Sequence, residues 1–221
     1  MVLNTGGQLL IGTSSSGFAS KLVAGTGSGD AGITAYSGTS NNAYLHFADG
    51  TSGADRYRGY VNYAHNLNAM QFGTNDVVRM TIDSNGIVTK PYQPIASLSH
   101  SSAVDLTDAV LTSSNFYSQT WVNQGNHFNA SNGRFVCPVA GVYRIYFRAT
   151  VDQNQHTNVR LRRNGSTINE AYANHTSGTT SSDSSEAVVN CSANDYLEIQ
   201  ASRLKAIGGT QHKQITFELM S

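Results

Sequence analysis

The sequence predicts an all-β protein with two parts, a β-rich segment over residues 1–90 and a two-sheet sandwich over residues 91–221. Strand-length apolar runs, separated by Gly, Asn, Asp and Ser, recur along the whole chain. The second part adds strict apolar–polar alternation, and no stretch has the periodicity of an amphipathic helix. The boundary is predicted at Lys90-Pro91-Tyr92-Gln93-Pro94, because proline and the residue before it favour extended corners.

The composition excludes several classes of protein. Only 13% of the 221 residues are charged, and 14 basic residues balance 14 acidic ones. A nucleic-acid partner needs a surplus of Lys and Arg, so none is expected. No run approaches the roughly 20 apolar residues of a membrane span, so no membrane insertion is expected. The first residues do not resemble a signal peptide, so either the chain is assembled in a cytosol or a signal has been removed from it.

Short apolar runs in the first 90 residues are predicted to be strands. Asn85-Gly86 after the last of them predicts a type I′ hairpin, in which both turn residues adopt positive φ. The predicted strands include Leu9–Gly12, Leu22–Gly25, Ile33–Tyr36, Tyr44–Phe47, Tyr57–Tyr63, Met70–Gly73 and Val77–Ile82.

This first part poses a problem of burial. Its runs are short and glycine is dense, so one copy would bury too little apolar surface to offset its conformational entropy. Three copies that share one core would bury enough. We therefore expect a homotrimeric shaft over residues 1–90.

The second part has clear two-residue alternation. Placing Arg144 and Arg148 outward points Tyr143, Ile145, Phe147 and Ala149 into a core. Val159 and Leu161 alternate with Arg160 and Arg162 in the same way, before a turn at Asn164-Gly165. About eight to ten strands of this kind fit a two-sheet sandwich or jelly roll.

Residues 45–94 resemble a segment of tail-fibre and structural proteins of tailed phages. The resemblance is carried by the stretch "RMTIDSNGIV" at residues 79–88, which in those proteins precedes a C-terminal domain. It implies a fibre protein on the outside of a virion.

Residues 125–147, "GNHFNASNGRFVCPVAGVYRIYF", resemble the signature of the complement C1q-type globular head. Residues 159–168, 194–199 and 215–219 resemble later strands of that family in the same order. The resemblance implies a C1q/TNF-like jelly roll that forms homotrimers. The matching positions are Gly133, Phe135, Pro138, Gly141, Tyr143, Ile145 and Phe147.

No pattern of catalytic or metal-binding residues is evident. The seven histidines are scattered, and the acidic residues lie mostly in predicted turns. We therefore expect no enzymatic activity, no metal and no cofactor. Cys137 and Cys191 are too few for a disulfide framework; buried reduced thiols are favoured over a bridge, and both possibilities stay open.

Polar loops on the head are the predicted binding surface, because loops on rigid β scaffolds carry recognition. The two stretches are residues 173–185 and 152–156, although solvated loops without a ligand would have the same composition. The candidate binding residues are Tyr172, Asn174, His175, Asp183, Asn154 and His156.

Together these features predict a virion fibre protein that is assembled in the host cytoplasm and exposed on the particle. Its expected partners are two further copies of itself, other virion proteins through its N-terminal end, and a glycan or protein of the host surface. The alternatives are a structural decoration of capsid, neck or tail, a secreted lectin-like adhesion module, and a trimeric polysaccharide depolymerase.

Overall fold

The computed structural model describes residues 1–4, 9–11, 22–25, 28–152, 155–174, 178 and 180–220. The chain divides into two compact units, Met1–Lys90 and Pro91–Ser221. Strands account for 57% of the structure and helices for 4%, which confirms the all-β prediction. The helical residues form two short 3₁₀ turns, Gly53–Tyr57 and Thr210–His212. Within the described ranges, no helix has the length and apolar character needed to span a membrane.

The described residues of the first unit form two small sheets. Strands β1 to β3 form one of them, and strands β4 to β8 form an antiparallel meander in which each strand pairs with the next. The strands are β1 (Val2–Leu3), β2 (Leu9–Ile11), β3 (Leu22–Ala24), β4 (Asn42–Phe47), β5 (Gly59–Ala64), β6 (Ala69–Thr74), β7 (Val77–Ile82) and β8 (Val88–Thr89).

Two details of this unit correct the sequence interpretation. In the β7–β8 hairpin, Gly86 has φ of 80° but Asn85 does not have positive φ, so the predicted type I′ turn is wrong. The Asp83 carboxylate accepts hydrogen bonds from the backbone N–H of Asn85 and Ile87 and holds a different turn. Residues 33–36 form no strand, because the chain there makes no ladder with a neighbour.

One face of the meander is apolar and uncovered. Leu45 lies opposite Val61, Val61 opposite Phe72, and Phe72 opposite Met80, so these side chains share a face. Leu45 is 61% exposed, and its face-mate Phe47 is 57% exposed. No described segment of this unit packs over them. The meander is therefore a single layer, whereas stable domains usually have two.

The second unit is a sandwich, in which the described residues form eleven strands. One sheet has the strand order β17-β14-β19-β9-β11. The other contains β16-β15-β18, and both β10 and β13 pair with the edge of β18 that faces away from β15. Strand β12 pairs with β13 at the end of this sheet. The strands are β9 (Ile95–Ser99), β10 (Val104–Val110), β11 (Gln119–Gln124), β12 (Phe128–Asn129), β13 (Arg134–Val136), β14 (Gly141–Val151), β15 (His156–Arg163), β16 (Ser166–Asn174), β17 (Ser181–Cys191), β18 (Tyr196–Ala206) and β19 (Lys213–Leu219).

The core between these sheets confirms the predicted alternation. Phe135 and Phe217 stack with ring centroids 5.5 Å apart and planes 7° from parallel. Asn164 and Gly165 both have positive φ in a two-residue β15–β16 turn, as type I′ geometry requires. The inward residues predicted from the sequence are all buried: Tyr143, Ile145, Phe147, Ala149, Val159 and Leu161.

Candidate functional site

A polar groove runs along one edge of the sandwich. Strand β16 is an edge strand of one sheet, and β17, which follows it in the chain, is an edge strand of the other. The depression between them has a volume of about 510 Å³. Its lining consists of Asn169, Glu170, Ala171, Tyr172, Ala173, Ser182, Asp183, Ser184, Ser185 and Glu186.

The structure corrects the loop predicted over residues 173–185. Strand β16 continues to Asn174 and β17 begins at Ser181, so only the residues between them are a connection. Ser182 lies opposite Thr150 of β14, and their hydroxyls are 3.0 Å apart. The polar composition misled the prediction because an edge strand tolerates polar residues once a long neighbour supplies its backbone partners.

Two of the predicted binding residues lie in this groove. Tyr172, which is 67% exposed, and Asp183 both line it. His156 is exposed and pairs with Asn174 through the β15–β16 ladder, one position beyond the groove residue Ala173. Two of the six candidates, Asn154 and His175, lie outside the described residues.

Two carboxylates that the sequence analysis did not select also line the groove. Glu170 accepts a hydrogen bond from Arg160 Nε at 3.1 Å, and Glu186 lies 4.0 Å from Arg144 Nη1. Hydrogen bonds from Asn158 and Arg160 lower the pKa of Glu170, which keeps it an anionic acceptor. These carboxylates and the serine hydroxyls of the groove supply hydrogen-bond acceptors and donors for a polar ligand.

A second surface is the outer face of the sheet that contains β14. Tyr146 and Val142 are half-buried on it, and Val188 of the neighbouring β17 is 56% exposed. At the other end of the sheet, Val122 is 40% exposed beside a bulge in β11. Arg144 makes an ion pair of 2.6 Å with Glu218 across this face. The face therefore combines exposed apolar groups with paired charges.

Cys137 and Cys191 are both free and buried. Burial raises the pKa of each thiol, so little thiolate is available for reaction. Over the part of the chain that the structure describes, no group of three or more His, Cys, Asp or Glu side chains is arranged to hold a metal ion.

The strand order defines the second unit as a jelly-roll module. The chain belongs to the C1q family, since the family described as the C1q domain matches residues 100–218. Domains of this C1q/TNF type typically form homotrimers and are typically non-enzymatic.

Curated relatives match a short part of the chain. Complement C1q tumor necrosis factor-related protein 2 of Mus musculus is 43% identical over 44 residues, which is 20% of this chain and 15% of the relative. The human protein of the same name gives the same identity and coverage. The match thus spans well under two thirds of these relatives.

Solved structures resemble the chain over a little more than half of its length. The globular domain of zebrafish complement 1qA protein is 16% identical with a TM-score of 0.47, and the match covers 58% of this chain and 98% of that one. Eiger TNF from S. frugiperda is 15% identical with a TM-score of 0.47, over 58% of this chain and 93% of that one. Murine APRIL at pH 5.0 is 15% identical with a TM-score of 0.45, and the match covers 58% of this chain and 99% of that one.

Proposed function

We propose that this chain is a non-enzymatic, homotrimeric virion fibre protein that carries a C1q head for attachment to a host surface. The observation that carries the proposal is the pair of exposed apolar sheet faces, one in each unit. Each would be unfavourable in a protein that remained a monomer.

The head face supports trimerisation through its exposed groups. The exposed Val122 and Val188 and the half-buried Tyr146 lie on one sheet, where Arg144 is paired with Glu218 and Arg148 is an exposed charge. Interfaces favour such aromatic and aliphatic groups with few unpaired charges at the centre. The typical homotrimeric state of C1q/TNF-type domains agrees with this assignment.

The apolar face of the first unit supports a shaft. Leu45, Phe47 and Val61 lie on a single-layer sheet that no described part of its unit covers. The second and third copies, which the head would hold nearby, are the occupants we assign to this face. Their sheets would supply the missing layer and form the shared core expected for residues 1–90.

The placement on a virion rests on the resemblance of residues 45–94 to phage fibre and structural proteins. In this proposal the N-terminal end contacts other virion proteins, and the head contacts a glycan or protein on the host. The groove with Tyr172 and Asp183 is the proposed contact surface, because its hydroxyl and carboxylate groups suit polar ligands.

Light scattering of the purified full chain at low concentration tests the assembly. The expected mass is three times the 23.6 kDa of one chain. A folded monomer under those conditions would overturn both the shaft and the fibre.

Binding to host cells tests the attachment role. We expect the trimer to bind the cells and soluble surface polysaccharide to compete. A trimer that decorates particles without binding cells would indicate structural decoration instead. Release of sugar from the polysaccharide would indicate a depolymerase.

A further inference from the structure

A depression lined by aromatic rings lies on the first unit, on the opposite face of the meander from Leu45. Its volume is about 450 Å³. Tyr44 and His46 come from β4, Tyr60 from β5, Tyr57 from the end of the 3₁₀ turn, and Asp76 from the turn between β6 and β7. The jelly-roll family likeness does not cover this unit, and neither the shaft nor the head site uses these residues.

Tyr60 forms the floor of the depression. Its partner across the ladder is Gly73, and a Cβ at Gly73 would overlap the Tyr60 ring. The ring therefore lies flat on the backbone of the sheet, in a space that only glycine provides. The ring thus contacts the sheet and also lines the depression above it.

Other rings stand on this floor as walls. Tyr44 and His46 are each inclined by 86° to Tyr60, with centroids 6.0 and 6.4 Å away. These two rings stack on each other at 4.5 Å. Tyr57 meets His46 edge-on at 5.2 Å. The rings thus form a corner with perpendicular sides, whereas a sugar typically stacks on an open flat ring.

The lining of this corner includes one acidic group. Asp76 lines the depression, and no basic side chain of the described ranges forms an ion pair with it. Burial and the Asp76 carboxylate both raise the pKa of Tyr60, which places the carboxylate within electrostatic reach of the ring. The nearby Arg58 is paired with Asp49 and Asp55, and Arg56 lies 5.1 Å from the Tyr57 centroid.

We propose that this corner binds an organic cation of the quaternary or methylated ammonium class, with the aromatic faces and one carboxylate as its ligands. Aromatic faces attract cations through the negative potential above the ring, and perpendicular rings surround a rounded cationic head on several sides. The carboxylate adds Coulombic attraction where the partly buried rings reduce screening by water. The positive charge of Arg56 should weaken the binding of a cation, because its guanidinium lies close to the Tyr57 ring.

Choline and its neutral carbon analogue 3,3-dimethyl-1-butanol provide a matched pair of probes. Calorimetric titration into the full chain is expected to give at least about tenfold tighter binding of choline. Equal binding of the two probes would show a merely apolar pocket and overturn the proposal. Tighter binding of neutral glucose or galactose than of choline would also overturn it, in favour of a sugar site.

Variants locate the site and separate it from folding. Asp76→Asn keeps the positive φ of 58° at this turn, because asparagine tolerates that conformation, and should weaken choline about five- to tenfold. Tyr60→Phe should retain binding within about threefold, whereas Tyr60→Leu should abolish it. Arg56→Gln should tighten binding.

The matched control is Tyr36→Leu, since Tyr36 is 96% exposed in the same unit and lines no part of the depression. It should leave choline affinity unchanged. If Tyr60→Leu proves unfolded by circular dichroism, Tyr57→Leu takes its place, because Tyr57 lies at the end of a turn outside the sheet. Unchanged choline affinity in both Asp76→Asn and the folded tyrosine-to-leucine variant would overturn the assignment.

Discussion

The carboxylate of Glu198 and the guanidinium of Arg162 form an ion pair of 3.2 Å in which the Glu198 side chain is only 3% exposed. Arg134 contacts the other carboxylate oxygen, also at 3.2 Å, and its guanidinium lies 4.0 Å from the ring centroid of Tyr196. A single acidic group on β18 thus joins β15 and β13 across the sheet. The alternation of β18 alone would have placed this residue in solvent.

Removing this carboxylate should destabilise the head. Glu198→Ala leaves two arginines without their acceptor, and the expected loss in the free energy of unfolding is about 1.5–3 kcal/mol. Glu170→Ala is the control, because its ion pair with Arg160 is exposed and should contribute less than about 1 kcal/mol. Urea unfolding at one fixed protein concentration measures both. Equal losses would contradict a structural role for the buried pair.

Gly133 should not tolerate a side chain. Its φ is +72°, and a Cβ would overlap the backbone carbonyl oxygen of Leu111, which cannot move as a side chain could. Gly165 has a similar φ, but a Cβ there would make only ordinary contacts. Gly165→Ala should therefore lower the free energy of unfolding by about 1–2 kcal/mol, from backbone strain alone. We expect Gly133→Ala to cost more than twice that amount in the same unfolding measurement. Similar values for the two variants would show that the Leu111 contact relaxes.

The stability of the head should fall in mild acid because of His100. Its ring stacks on Phe116, and its Nδ1 atom is buried without a hydrogen-bond partner. Burial, and secondarily the charge of Lys213, lower its pKa. Between the lowered folded pKa and the unfolded value of about 6.5, the unfolded chain binds the proton and the folded chain does not. Stability should therefore decrease as the pH falls through this window.

His100→Phe tests this pH dependence, since phenylalanine keeps the ring contact with Phe116 and cannot ionise. The variant should lose less stability than the wild type between neutral and mildly acidic solution. Because burial also lowers the pKa of His127, part of the dependence should remain. A direct titration of the His100 ring by NMR should give a pKa below the ordinary value, and an ordinary or raised value would refute the prediction.

The two cysteines should react only after unfolding. Cys137 is fully buried and Cys191 is 5% exposed, and burial raises the pKa of both thiols. A thiol reagent such as DTNB should label neither residue in the native protein and both in guanidinium. Rapid labelling of the native protein would contradict inert packing, and absence of labelling in guanidinium would reveal a disulfide.

The apolar face of the first unit offers a test that does not depend on mass. In a monomer, Leu45→Lys at a 61% exposed site should change stability by no more than about 0.5 kcal/mol. In the proposed shaft that site is buried, and the loss should be about 1.5–3 kcal/mol for each chain. Hydrogen exchange over β4 to β7 measures the difference. Tyr36→Lys is the control, and equal exchange in both variants would argue against the shaft.

The local features of the head could be predicted from the sequence. The inward positions Tyr143, Ile145 and Phe147 follow from period-two alternation, and the turn at Asn164-Gly165 was predicted where that alternation stops. These features depend on residues that are neighbours in the chain. For that reason they could be predicted without knowledge of the strand order.

The features that the sequence did not reveal depend on pairing between distant strands. Glu198 is buried because β13 and β15 bring arginines to it, and the polar residues from Ser181 onward form a strand because β14 is long enough to pair with them. The type I′ prediction at Asn85-Gly86 was wrong for a local reason. The Asp83 carboxylate accepts hydrogen bonds from the backbone N–H groups of Asn85 and Ile87 and holds a different turn. The candidate groove could not be predicted, because it lies between the edge strands of two sheets and the alternation within one strand does not reveal which strands are edges.

The single-layer meander has a consequence for biosynthesis. Ribosomes deliver residues 42–89 before the head exists, so Leu45 and Phe47 emerge with nothing to cover them. If three heads associate as proposed, each tethered meander would meet its two counterparts at a high effective concentration. In the proposed fibre, the head would therefore act as the assembly nucleus, and nascent chains that fail to complete it would be the ones at risk of aggregation.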